Sequence, residues 1–131
     1  MTATTRPSLG SAIAIMLVDW LAILVFIFAG LGSHDQQATL GNLLLTAWPF
    51  LVARMVALPA VRGRAEALWP GGVIAWLVTW ALGMGLRALT GAGTALAFVL
   101  VSLGMLGLLL LGWRLLSAVV RWQVRRNAEL D

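Results

Sequence analysis

The amino-acid sequence predicts an all-α polytopic membrane protein, four transmembrane helices in an antiparallel bundle, and three observations lead there. Of 131 residues, 61% are hydrophobic and only 11% charged, with a mean hydropathy of +0.96. A soluble domain of this size has no interior large enough to hide so much apolar side chain. The apolar residues also fall in four runs, each close to the roughly 20 residues that cross about 30 Å of hydrocarbon at 1.5 Å per residue. Finally, the breaks between runs hold the glycines, arginines and polar residues that suit loops at a membrane surface. The chain reads as one domain, 1–131, with spans at about 9–32, 40–61, 70–90 and 93–116 and a basic helical tail at 117–131.

After a polar lead with Arg6 and Pro7, the first run is longer than a leader's apolar region, has an aspartate inside it and no A-x-A pattern near Gly32, so it is expected to be a span and not a cleaved leader. Asp19 shares a helical face with Ala12, Phe26, Gly30 and Ser33, opposite Leu17, Leu21, Leu24 and Phe28, and that polar face should meet protein. The loop Ser33-His34-Asp35-Gln36-Gln37 leads to the second run, where Pro49 lies mid-span and should kink the helix. Arg54 follows on a face with Ala47, Phe50 and Val61. Arg62 to Glu66 form the next loop, and Trp69-Pro70 opens the third run, where an interfacial tryptophan and a proline at the first helical position are both favourable.

The third run, Val73 to Thr90, is the predicted inner wall: Trp76, Trp80, Gly83 and Arg87 fall on one helical face, flanked by Thr79. On the fourth run Gly93, Ala97, Gly104 and Gly107 form a small-residue side that permits close helix approach. In the last segment Arg114, Ser117, Arg121 and Arg125 line one stripe and Leu115, Val119 and Trp122 another, the pattern of an interfacial basic helix.

All nine basic residues are arginines. Placing the N-terminus, the middle loop and the C-terminal tail on one side gathers Arg6, Arg62, Arg64, Arg121, Arg125 and Arg126 there against Arg87 near the other, which predicts the inner (plasma) membrane with both termini cytoplasmic. The partners implied are the lipid bilayer and its anionic head groups, not nucleic acid.

Chemistry must be read from single residues. Asp19 lies about ten residues inside the inner boundary and Arg54 about seven or eight from it, depths that differ by only a few ångströms. An isolated charge costs at least about 2.5–3.5 kcal/mol in a bilayer, so the two are expected to form an intramembrane charge pair, either structural or a proton or ion relay. The Trp76 and Trp80 indoles need acceptors at their depth. They either pack in the core or, with Thr79, Gly83, Arg87 and His34, line a pocket for an amphipathic or anionic ligand. The absence of cysteine removes thiolate metal sites and cysteine nucleophiles, and the lone His34 has no partners for a metal. Ser33-His34-Asp35 has triad residue types without triad geometry, and no nucleotide-binding or HExxH motif occurs, so neither a catalytic residue nor a cofactor is assigned.

Two functional classes stand ahead of a membrane enzyme. One is a protein that binds or transports a small amphipathic or anionic ligand through its inner polar and tryptophan face. The alternative is an accessory or assembly subunit of a larger membrane complex. Because four helices usually fill their own core, the first points to a homo-oligomer.

The order of Asp19, the turn from Gly30 to His34, Trp48-Pro49-Phe50, Thr79 with Gly83 and Arg87, and Gly112-Trp113-Arg114 resembles a prokaryotic four-helix integral membrane family catalogued as a domain of unknown function, number 3054. The resemblance covers most of the chain. It implies four membrane spans, and it carries no activity, substrate or cofactor.

Overall fold

A computed structural model describes residues 9–33, 39–61 and 66–130, and every secondary-structure element among them is helical. Helix α1 is Leu9–Ser33, α2 is Leu40–Val56, α3 is the short Leu58–Val61, α4 is Val73–Leu89 and α5 is Leu96–Leu130. Three stretches are long and apolar enough to cross a membrane: Leu9–Leu31, Leu68–Leu89 and Leu96–Leu130. Helix α2, at 17 residues, is a shorter apolar helix.

Local sequence explains where these helices start and stop. Thr39 caps α2, its extended backbone placing Oγ1 to accept from the Asn42 N–H at 3.2 Å. Pro49 stays inside α2 without ending it. The break comes at Ala57, two residues before Pro59, which has no N–H to continue the ladder. The segment expected to open the third span is less regular than a proline at the first helical turn would give. Leu68–Gly72 forms a π-helical turn, Trp69 is extended at φ −129°, ψ 134°, and the Trp69-Pro70 bond is cis. Regular α4 begins at Val73.

Helix α4 ends in a Schellman motif. Gly91 takes φ 71°, the Gly91 N–H donates to Ala88 O at 3.3 Å and the Ala92 N–H to Arg87 O at 2.9 Å. Gly93 is also left-handed at φ 89°, so the chain turns back within a few residues and α5 starts at Leu96. Helix α5 then continues without a break to Leu130, joining the fourth run and the basic tail into one element of 35 residues, about 52 Å long. Arg121 in that extension forms an exposed ion pair with Glu66.

The core lies where α1, α2, α4 and α5 meet. Ile23, Phe26, Ile27, Leu31, Ala47, Phe50, Met84 and Leu106 are buried together. Phe50 fits against Gly83, where an added Cβ would come within 2.7 Å of Phe50 Cε1. Gly107 receives Trp76 in the same way, since a Cβ there would sit 2.8 Å from the indole Cε2. A second small cluster joins Val61 to Ala75.

Candidate functional site

Two polar sites stand out against this apolar background, one deep and one at the end of α4. The deep one is centred on Asp19. Its carboxylate is wholly enclosed, as are the side chains of Arg54 and Arg114. Arg54 donates from Nε to Asp19 Oδ2 at 2.7 Å. Arg114 forms a two-pronged pair, Nη1 to Oδ1 at 2.8 Å and Nη2 to Oδ2 at 2.7 Å, the planar geometry that guanidinium and carboxylate favour. Trp113 Nε1 donates to Oδ1 at 2.8 Å. Arg114 Nη1 also donates to the Leu110 carbonyl at 2.7 Å, and its guanidinium carbon lies 4.6 Å from the Trp113 ring centroid. One carboxylate therefore ties α1 to α2 and to α5.

Room for the Arg114 stem comes from Gly72. A Cβ at that position would lie 2.7 Å from Arg114 Cδ, so the turn before α4 has to be bare where α5 brings the arginine in. Arg114 thus departs from the expected basic stripe with Ser117, Arg121 and Arg125. It is fully buried because Asp19 and the bare turn receive it, whereas Arg121 and Arg125 are exposed.

The tryptophans of α4 find their acceptors on α5. Trp76 Nε1 donates to Leu103 O at 2.9 Å, and Trp80 Nε1 lies 3.2 Å from both Val99 O and Ser102 Oγ. These carbonyls belong to a helix, so each indole adds a further hydrogen bond to a ladder acceptor and clamps α4 to α5. Ser102 Oγ itself donates to Val99 O at 3.0 Å. On the other side of the core, Trp20 Nε1 donates to Leu51 O at 3.0 Å and joins α1 to α2 in the same manner. Thr79 is buried, and Gly83 faces Phe50.

The second site surrounds Arg87. The loop of the Schellman motif folds over its side chain: Arg87 Nη2 donates to Ala92 O at 3.0 Å and Nε to Gly93 O at 3.3 Å. The guanidinium carbon sits 4.3 Å from the Phe98 ring centroid, within cation–π range. Phe98 in turn packs against Phe26 and Phe50, with centroids 6.4 and 6.2 Å away. Beside this group opens a cleft of about 550 Å³. Its walls are mainly Phe26, Ile27, Leu31, Leu45, Phe98 and Val101, with Arg87 as its charged residue and Thr46 contributing a hydroxyl.

Residues 16–117 match the family described as "Protein of unknown function (DUF3054)". The chain belongs to the DUF3054 family. The matched stretch contains Asp19, Arg54, Arg87, Trp113 and Arg114 and stops before Arg121, so both polar sites lie within the DUF3054 domain while the charged end of α5 lies beyond it. No curated protein and no solved structure matches the chain.

Of the sequence-derived candidates, Asp19 and Arg54 meet directly. Of Trp76, Thr79, Trp80, Gly83 and Arg87, the cleft beside Phe98 is lined by Arg87 alone, while both indoles bond to α5. His34 lies outside the described residues. Among the small residues of the fourth run, Gly107 contacts Trp76, Ala97 lines the cleft, Gly93 precedes α5, and a Cβ on Gly104 would meet nothing within 4 Å. Trp113, Arg114, Gly72 and Phe98 are site residues that sequence reasoning missed. The available signal was Gly112-Trp113-Arg114 placed one turn after apolar Leu108 to Leu111, a position still inside the span. No group of three or more metal-ligating residues occurs among the described residues.

Proposed function

We propose that the protein is a multi-pass membrane protein that binds a small amphipathic anion in the cleft beside Arg87. The observation that carries this reading is the composition of the cleft: one guanidinium and one hydroxyl at the edge of otherwise apolar and aromatic walls. Such a lining suits a molecule with an anionic head and a hydrocarbon or aromatic body, the head on Arg87 and the body against Phe26, Leu45 and Phe98. Among the described residues Arg87 is held by backbone carbonyls and not by a carboxylate, so its charge is available to a ligand. Helix α2 with α3 supplies the fourth crossing of an antiparallel bundle, and the plasma membrane orientation puts both termini in the cytoplasm with the Arg87 cleft at the outer face.

Native mass spectrometry of the purified protein tests the proposal. The wild type is expected to carry a small organic anion or lipid, and Arg87→Gln and Ala97→Phe to lose it while accumulating normally. Ligand retention by both variants contradicts the assignment. Recovery of the chain only as a stoichiometric component of a larger complex, with no ligand, favours the accessory-subunit reading. The apolar groove between α1 and α5, lined by Val18, Leu21, Val25, Leu108 and Leu116, is the surface such a complex would use.

A further inference from the structure

The deep cluster contains an imbalance that the Arg87 cleft does not explain. Two guanidinium groups, Arg54 and Arg114, share one carboxylate, Asp19, and all three are fully buried. The other described acidic residues, Glu66 and Glu129, are exposed, so among the described residues the cluster carries one positive charge in excess. Asp19 has no capacity to spare, since Oδ1 accepts from Trp113 and Arg114, and Oδ2 from Arg54 and Arg114. Arg54 engages it through Nε, while Nη1 and Nη2 are buried with no hydrogen-bond partner among the described residues. The same holds for Thr79 Oγ1.

These unpartnered groups sit on α2 and α4, two helices that pack against each other. Phe50 of α2 abuts Gly83 of α4, and further along Val61 packs on Ala75. The α2–α3 segment and α4 therefore run in opposite directions, and Arg54 and Thr79 fall between the same pair of contacts. Two terminal guanidinium nitrogens and a hydroxyl, all buried and without a partner among the described residues, thus belong to one seam. The cluster beside it carries one positive charge in excess among its described residues, and burying such groups unanswered is costly.

We propose that Arg54 and Thr79 form an internal binding site for a small monovalent inorganic anion of the halide class. The anion would accept from Arg54 Nη1 and Nη2 and from the Thr79 hydroxyl, and its single charge brings the cluster to neutrality. Full enclosure of both side chains limits the occupant to a small ion. A divalent oxyanion would reverse the charge imbalance instead of removing it. Water can satisfy the N–H groups but leaves the charge in place.

Thermal unfolding of the full-length protein in detergent, followed by tryptophan fluorescence at constant ionic strength, provides the test. Replacing potassium gluconate by potassium chloride or bromide should raise the melting temperature saturably, and potassium sulfate should not. Thr79→Val should shift the halide midpoint upward about tenfold, a change of about 1.4 kcal/mol. Thr79→Asp, which supplies an internal carboxylate, and Arg54→Met, which removes the excess charge, should melt independently of halide. If Arg54→Met does not fold, the wild type and the two Thr79 variants still decide. Equal melting of the wild type in gluconate, chloride and sulfate overturns the proposal and leaves water as the partner of Arg54. A halide response unchanged in both Thr79 variants overturns it as well.

Discussion

Arg114 and Arg87 are the same side chain in two opposite situations. Both stack on an aromatic ring, at 4.6 Å and 4.3 Å. Arg114 is fully enclosed and holds a carboxylate with two of its nitrogens, whereas Arg87 is partly exposed and rests on two loop carbonyls. The difference lies in what each would lose. An arginine that rests on the carbonyls of a turn can exchange them for water or for an anionic head at little cost, but a buried charge whose partner is removed has no ready substitute. The Asp19 cluster is therefore framework, joining three helices, whereas Arg87 rests on contacts that water can replace.

The largest effect should come from Asp19→Asn. It leaves two buried guanidinium groups facing an amide, and breaking such a pair costs about 3–5 kcal/mol. Folded protein in the membrane should fall severely, measured by membrane accumulation and by melting in detergent, while Arg87→Gln should cost about 1 kcal/mol or less. Comparable losses in the two variants would erase the contrast.

Next in size is Gly107→Val. Its branched side chain would collide with the Trp76 indole, and overpacking of this kind costs about 1–3 kcal/mol. A lower melting temperature together with a red-shifted tryptophan emission is the expected signature. Gly72→Ala should act similarly, because the added Cβ would meet Arg114 Cδ at 2.7 Å and the Ala67 carbonyl oxygen at 3.0 Å.

A smaller effect is expected from Trp80→Phe, which keeps the ring packing and removes the donor to Val99 O and Ser102 Oγ. Loss of one such hydrogen bond is worth about 0.5–1.5 kcal/mol. Smallest of all is Gly30→Ala: among the described residues an added Cβ meets nothing within 4 Å, so no loss of stability is expected even though the residue lines the cleft.

Much of the fold could be read in the sequence because lipid imposes a simple rule, long apolar runs separated by polar breaks. The faces of Asp19 and of Arg54 were legible for the same reason, since a charge inside such a run has to turn toward protein. Arg114 was not legible. Periodicity places it equally well on a stripe with Arg121 and Arg125, and only the bare turn at Gly72, brought close by the fold, separates a buried arginine from its solvated neighbours. The tryptophans of α4 were ambiguous in a different way. A face of indoles is compatible with a core or a pocket, and what decides their surroundings is the partner helix: Leu103 and Val99 present carbonyls, Gly107 presents space. Backbone carbonyls carry no sequence signal, so neither these acceptors nor the Ala92 and Gly93 carbonyls that hold Arg87 could be named beforehand.

The central claim, that one carboxylate shared by two buried arginines holds the helices together, is tested most directly by a double-mutant cycle between Asp19 and Arg114. Melting of the wild type, Asp19→Asn, Arg114→Met and the combined variant is measured under one detergent condition. Direct pairing predicts that the combined variant is more stable than Asp19→Asn alone, with a coupling of about 2 kcal/mol. Strictly additive losses would mean that the two side chains act independently, and the account of the framework would then be wrong.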